Sequence, residues 1–201
     1  MESYEPTKSE RTRRRIIEKA APVINKKGAA GTSIADLADA TGLTKGGIYG
    51  NFSSKEELVA AVYDYHTETI NSIFQRHTAN AETPGQKLAA YPSFFSELYK
   101  FMTDYGGCPV LNTAAEADDT NPVLRRKVSE TVLSWKKQAA DLIKAGIKTG
   151  EIKPDTDAEQ IAALMLSLFE GAGVLARVTG DSSFAKEAIE QIDALICGMK
   201  A

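Results

Sequence analysis

Apolar residues recur at intervals of three and four along almost the whole chain, and no run alternates singly over the length of a strand. With glycine, proline and capping residues as punctuation, the pattern predicts an all-α fold of about nine helices. The first runs from about Glu10 to Lys27, with Ile16, Ile17, Ala20, Val23 and Ile24 inward, a bend expected at Pro22 and a stop at Gly28. Ser33 and Asp36 bracket a short second helix that Gly42 ends, and Thr44 caps a third of two turns. The run Ser53-Ser54-Lys55-Glu56-Glu57 holds two overlapping capping boxes for a long fourth helix reaching about Ala79.

Thr83-Pro84 opens a fifth helix, kinked at Pro92 and carrying Leu88, Phe94, Phe95, Leu98, Phe101 and Met102. After the break at Gly106-Gly107 a sixth follows near Cys108–Asp118. Asn121-Pro122 caps a seventh that ends at Thr149 before Gly150. Thr156 with Glu159 boxes the eighth, and Asp181-Ser182-Ser183 begins the ninth. The loops are short throughout, so the reading is one helical body with an N-terminal three-helix head: residues 1–54 as head and 55–201 as body.

Composition narrows the classes. The chain has 201 residues, 43% hydrophobic and 25% charged, enough to bury a core without disulfides or a metal. Its net charge of −3 is unevenly spread. Residues 1–55 hold ten Lys/Arg against six Asp/Glu, whereas 56–201 hold fourteen against twenty-one. A small basic head on an acidic body points to an anionic partner for the head; two solvated surfaces that simply differ are the alternative. The longest apolar stretches, such as 161–169, fall short of the roughly 18–20 residues of a membrane span, and the N-terminus lacks the apolar segment of a secretory signal. No membrane association and a cytoplasmic setting are therefore expected. Cys108 and Cys197 are isolated from each other and from histidine, so no metal or cofactor is expected. His66 and His77 with scattered carboxylates supply no concentrated set of titratable groups, which argues against an enzyme.

The informative stretch is 31–55, GTSIADLADATGLTKGGIYGNFSSK. Ile34, Leu37 and Ala38 form an inward stripe, Gly42 sits in a tight turn, Leu43 fits the angle between two helices, and Ile48 and Phe52 face inward four apart. The opposite face of the third helix offers Lys45, Gly46, Gly47, Tyr49 and Gly50, with little bulk to hold a backbone away from a major groove. This segment resembles the DNA-binding signature of the TetR family of bacterial transcriptional regulators. The residues that carry the likeness are Thr32-Ser33, Ile34-Ala35, Thr41-Gly42-Leu43-Thr44, Gly46, Tyr49, Phe52 and Lys55 with Leu58. The likeness in sequence covers roughly the first 60 residues; the rest agrees in length and helix pattern.

The resemblance implies roles. Lys45 and Gly47 would face base edges beside Gly46; Tyr49 and Lys55 would meet phosphates; Thr32, Ser33 and Thr44 would offer hydroxyls and free amides at helix starts. Arg13, Arg14 and Arg15 would reach the backbone or the minor groove. Asn51 stands where many members have His or Tyr, and can donate to phosphate or pair with adenine. The double glycine leaves Lys45 as the main candidate for direct readout, which puts weight on DNA shape.

The family also implies a homodimer on double-stranded operator DNA, built from its last two helices. Leu166, Phe169, Gly173, Ile189, Ile192 and Ile196 are the residues expected in that interface. It further implies a pocket for a small-molecule effector, apolar or amphipathic in character. Phe94, Phe95, Leu98, Tyr99, Met102, Cys108, Trp135, Met165 and Phe169 are the candidates, either as lining or as ordinary core. Cys108 is a thiol sensor or an inert buried cysteine. The function expected is a ligand-responsive repressor; the alternative is a helical sensor that acts through a protein partner without binding DNA.

Overall fold

Ten helices form among residues 5–201, which the computed structural model describes; Met1–Tyr4, the start of the expected head, lie outside the described residues. They are α1 (Lys8–Gly31), α2 (Ile34–Thr41), α3 (Lys45–Tyr49), α4 (Lys55–Thr78), α5 (Pro84–Ala89), α6 (Tyr91–Tyr105), α7 (Pro109–Ala117), α8 (Pro122–Thr149), α9 (Ala158–Thr179) and α10 (Ser183–Gly198). The N-terminal start is earlier than expected because Thr7 and Glu10 form a reciprocal capping box. Pro22 lies inside α1 without ending it, and the break comes at Gly28, whose φ of 76° and ψ of 163° are non-helical. A single further turn reaches Gly31.

Ser33 and Asp36 form the expected box at the start of α2, and Gly42 ends it in the left-handed region at φ 70°. Thr44 caps α3 by accepting the Gly47 N–H, and Ser54 caps α4 by accepting that of Glu57. The expected fifth helix is divided in two at Ala90. Pro92 falls in the first turn of α6, where its missing N–H has no partner to lose, so the chain bends just before it. The cap of α9 is Asp157, which accepts the N–H groups of Glu159 and Gln160, in place of the expected Thr156.

Two apolar cores result. The smaller joins Ile16, Ala20, Leu37, Ile48 and Phe52 with Leu58, Val59 and Val62 of α4, so the first two turns of α4 belong physically to the head. The larger joins α4 to α10 around Phe94, Phe95, Leu98, Ile143, Met165, Phe169 and Ile192. Between them, Asn25 of α1 donates to the carbonyls of Tyr105 and Gly107 at 2.7 and 3.0 Å, and Asn112 of α7 donates back to Asn25 and to Gly106. This polar joint ties α1 to the α6–α7 corner.

By length and composition alone α9 is apolar enough to cross a membrane, although charged and polar residues interrupt its apolar stretches. Its apolar residues divide between a face packed on the larger core and a face left open, described below.

Candidate DNA-contact surface and body cleft

Thr44 sets the geometry of α3. Its cap starts the helix so that Ile48 turns into the head core, 1% exposed, while Lys45, Gly46 and Tyr49 stand on the outer side. Lys45 and Tyr49 are four apart, and the Lys45 ammonium lies 5.9 Å from the centre of the Tyr49 ring. Beside Gly46, a methyl group would find open space apart from the Thr44 hydroxyl at 3.9 Å, so packing does not require glycine there. Ser33 and Thr44 are exposed at the starts of α2 and α3, and Lys55 is partly exposed at the start of α4.

Three expected contacts change character. Thr32 is buried, and its hydroxyl donates to the Gly28 carbonyl at 2.6 Å, so it closes the end of α1 and is withdrawn from the phosphate-facing set. The side-chain amide of Asn51 donates one N–H to the Gly47 carbonyl at 2.9 Å, which leaves its second N–H and its oxygen to interact elsewhere. The three arginines are not equivalent. Arg13 lies with its guanidinium 4.0 Å from the centre of the Phe52 ring, bonds to the Asn51 carbonyl and pairs with Glu57 at 2.6 Å. Glu57 also accepts from the Ser53 hydroxyl and amide, and these bonds with Arg13 hold its carboxyl down at about 2. Arg13 therefore clamps the turn after α3 to α1. Arg14 pairs with Glu18 along the helix, and Arg15 is exposed.

In the body, α4, α6, α8 and α9 surround a narrow aromatic cleft, most of it filled by its own side chains, with about 50 Å³ of free space. Phe94, Phe95, Leu98, Trp135, Met165 and Phe169 line it as expected from sequence. Phe95 stacks on Phe169 with ring centres 4.2 Å apart, and Phe74, Tyr91 and Phe94 pack edge-on and tilted beside them. Tyr99, Met102 and Cys108 are not in the lining; Met102 is buried against Gly173. Sequence reading missed Phe74, Tyr91, Asn71, Gln138 and Glu170, which do line the cleft. Asn71 accepts from the Trp135 indole at 3.0 Å. Cys108 stands just behind the wall, its thiol donating to Glu170 Oε1 at 3.3 Å. Burial, with Glu170 beside it, pushes that thiol well up, which keeps it protonated and unreactive.

The comparisons with known proteins agree at both ends of the chain. Residues 16–62 match the family model of the bacterial regulatory proteins of the tetR family, and 84–192 match that of the tetracyclin repressor-like C-terminal domain. The crystal structure of a TetR-family transcriptional regulator from Cytophaga hutchinsonii is 42% identical, covers 98% of this chain and 99% of its own, and superposes with a TM-score of 0.89. The chain belongs to the TetR family of bacterial transcriptional regulators. Among curated relatives, the transcriptional regulator TtgR of Pseudomonas putida is 28% identical over 165 residues, 81% of this chain and 79% of that protein. The transcriptional repressor DhaR of a Mycobacterium species is 23% identical over 160 residues, 80% of this chain and 79% of that one.

In this TetR-family chain the residues expected in a dimer interface on α9 and α10 turn mainly into their own subunit. Phe169, Gly173, Ile192 and Ile196 are buried within the subunit; Leu166 lines the cleft and Ile189 packs on the larger core. The open apolar face consists of Leu164, Val174, Leu175 and Val178 of α9 with Phe184 of α10, and Val178 is 80% exposed. Both faces of α9 are apolar, so helical spacing alone gave no means of telling the inner from the outer one.

Proposed function

We propose that this TetR-family regulator is a repressor that binds a near-palindromic operator as a homodimer and leaves it when a small molecule occupies the aromatic cleft. The observation that carries the reading is the bare outer face of α3, where Lys45 and Tyr49 flank the open backbone of Gly46. Base edges would be met by Lys45, Gly46 and Gly47, and phosphates by Arg15, Ser33, Thr44, Tyr49 and Lys55. The open face of Leu164, Val174, Leu175, Val178 and Phe184 supports pairing with a second copy, which would set two copies of α3 roughly 34–36 Å apart, one DNA turn. Acting on the chromosome places the protein in the cytoplasm, and nothing in the proposed action calls for catalysis.

A random DNA pool enriched on the purified protein should yield a near-palindrome. On that operator, Lys45→Ala and Tyr49→Ala should each weaken gel-shift affinity about five- to hundred-fold while leaving the fold intact, and the wild-type affinity should fall steeply with salt. Unchanged affinity in both variants would remove α3 as the reading element. No enrichment at all would favour the alternative, a sensor that works through a protein partner.

A further inference from the structure

Glu170 is out of place in the wall of an aromatic cleft. The rest of the lining carries no lysine, arginine or histidine. One carboxyl oxygen, Oε1, accepts from the Cys108 thiol, a weak donor. The other, Oε2, is shut off from solvent and has no hydrogen-bond partner. A buried oxygen of this kind costs free energy in the empty protein unless something arrives to satisfy it. Glu170 lines the same cleft as Phe94, Phe95 and Phe169, so a donor reaching Oε2 would carry its remaining atoms along the aromatic faces of that cleft. Those faces present the negative side of their quadrupoles, and a cation is attracted to them as well as to the carboxylate.

Resting on the reading of this cleft as the effector site, we propose that the effector is an aromatic organic cation bearing an N–H donor. That donor sits on Glu170 Oε2, and the ring system lies among Phe94, Phe95 and Phe169. Amidines, guanidines and protonated amines attached to a flat apolar body fit this description. A neutral molecule of the same outline would satisfy the aromatic wall but leave the carboxylate without a counter-charge. Burial lifts the Glu170 carboxyl to about 7, so in the empty cleft it holds its proton part of the time near neutral pH, and a bound cation would draw it toward the carboxylate.

The test uses the full chain and two probes of matched shape, biphenyl-4-carboxamidine and biphenyl-4-carboxamide, titrated by calorimetry. Trp135, the single tryptophan and part of the lining, reports whether either probe reaches the cleft. The amidine should bind at least ten-fold tighter than the amide, and Glu170→Gln should remove that preference while leaving the amide's affinity nearly unchanged. Equal binding of the two probes to wild type, or an amidine preference that survives in Glu170→Gln, overturns the proposal and leaves the cleft as an apolar effector site. If neither probe binds or alters Trp135 emission, the effector-site reading falls along with it. The wild-type comparison stands by itself should Glu170→Gln not fold.

Discussion

The carboxylate of Glu116 accepts the backbone N–H of Ala29 at 2.7 Å, across 87 positions of sequence. It also accepts the N–H of Ala30. The break at Gly28 frees these amides, and a carboxylate on α7 caps them as it would cap a helix start. Thus α7 grips the head at one end, while at its other end the Cys108 thiol touches Glu170 in the cleft wall. One short helix thus contacts both the cleft wall and the head.

Removing this grip should loosen one segment selectively. For Glu116→Ala we expect a loss of about 1 kcal/mol in urea unfolding, since one half-buried and one exposed amide lose a charged acceptor. Hydrogen exchange should quicken at Ala29 and Ala30 and stay unchanged in the middle of α4. Unaltered exchange at those amides would mean that the carboxylate carries no hold on the head.

Gly46 separates stability from recognition. Because a methyl group there meets open space, Gly46→Ala should raise helix stability by a few tenths to about 1 kcal/mol. If the α3 backbone comes close to DNA, the same methyl should weaken operator binding several-fold. A variant that melts higher and binds less tightly is the expected pair of results. Retained affinity would show that DNA does not approach at this position.

The open face of α9 and α10 makes an equally direct test. Leu175 and Val178 are 48% and 80% exposed, so charging them should leave the subunit folded. Leu175→Glu with Val178→Glu should convert a dimer to a monomer in sedimentation velocity at micromolar concentration, with the circular dichroism unchanged, because an isologous patch meets itself and doubles every introduced charge. A wild type that sediments as a monomer, or a double variant that stays dimeric, rejects this face.

What was legible in the sequence follows the range of the interactions concerned. Caps and stops are local, so Ser33-Asp36, Gly42, Thr44 and Ser54 bounded their helices correctly. The aromatic run of α6 gave one wall of the cleft for the same reason: Phe94, Phe95 and Leu98 share one face. Long-range partners were not legible. Arg13 read as a free basic residue beside Arg14 and Arg15, and only the fold brings it to Phe52 and Glu57. Thr32 matched the family pattern, yet its hydroxyl is spent on Gly28. Glu170 carried no local signal, since one carboxylate on an apolar helix reads as a solvent-facing position until the cleft closes around it.

His66 and Glu170 should oppose each other as pH changes. His66 is 2% exposed, with neither ring nitrogen hydrogen-bonded. Burial pulls its pKa from 6.5 to about 4. A base kept neutral when folded contributes stability that is complete above its unfolded pKa and is lost as pH falls toward the folded one. By pH 5 that loss amounts to about 2 kcal/mol. Glu170 has the reverse sign: burial raises its pKa from 4.5 to about 7, so its contribution is complete below 4.5 and is lost as pH rises toward 7. Tyr65 and Cys108, their respective neighbours, are pushed upward by burial and do not titrate in this window. Wild-type stability in urea should therefore change little between pH 7 and 5. His66→Phe should gain stability over that interval as pH falls, and Glu170→Gln should lose it. Parallel pH profiles for all three proteins would show that neither buried group is linked to folding.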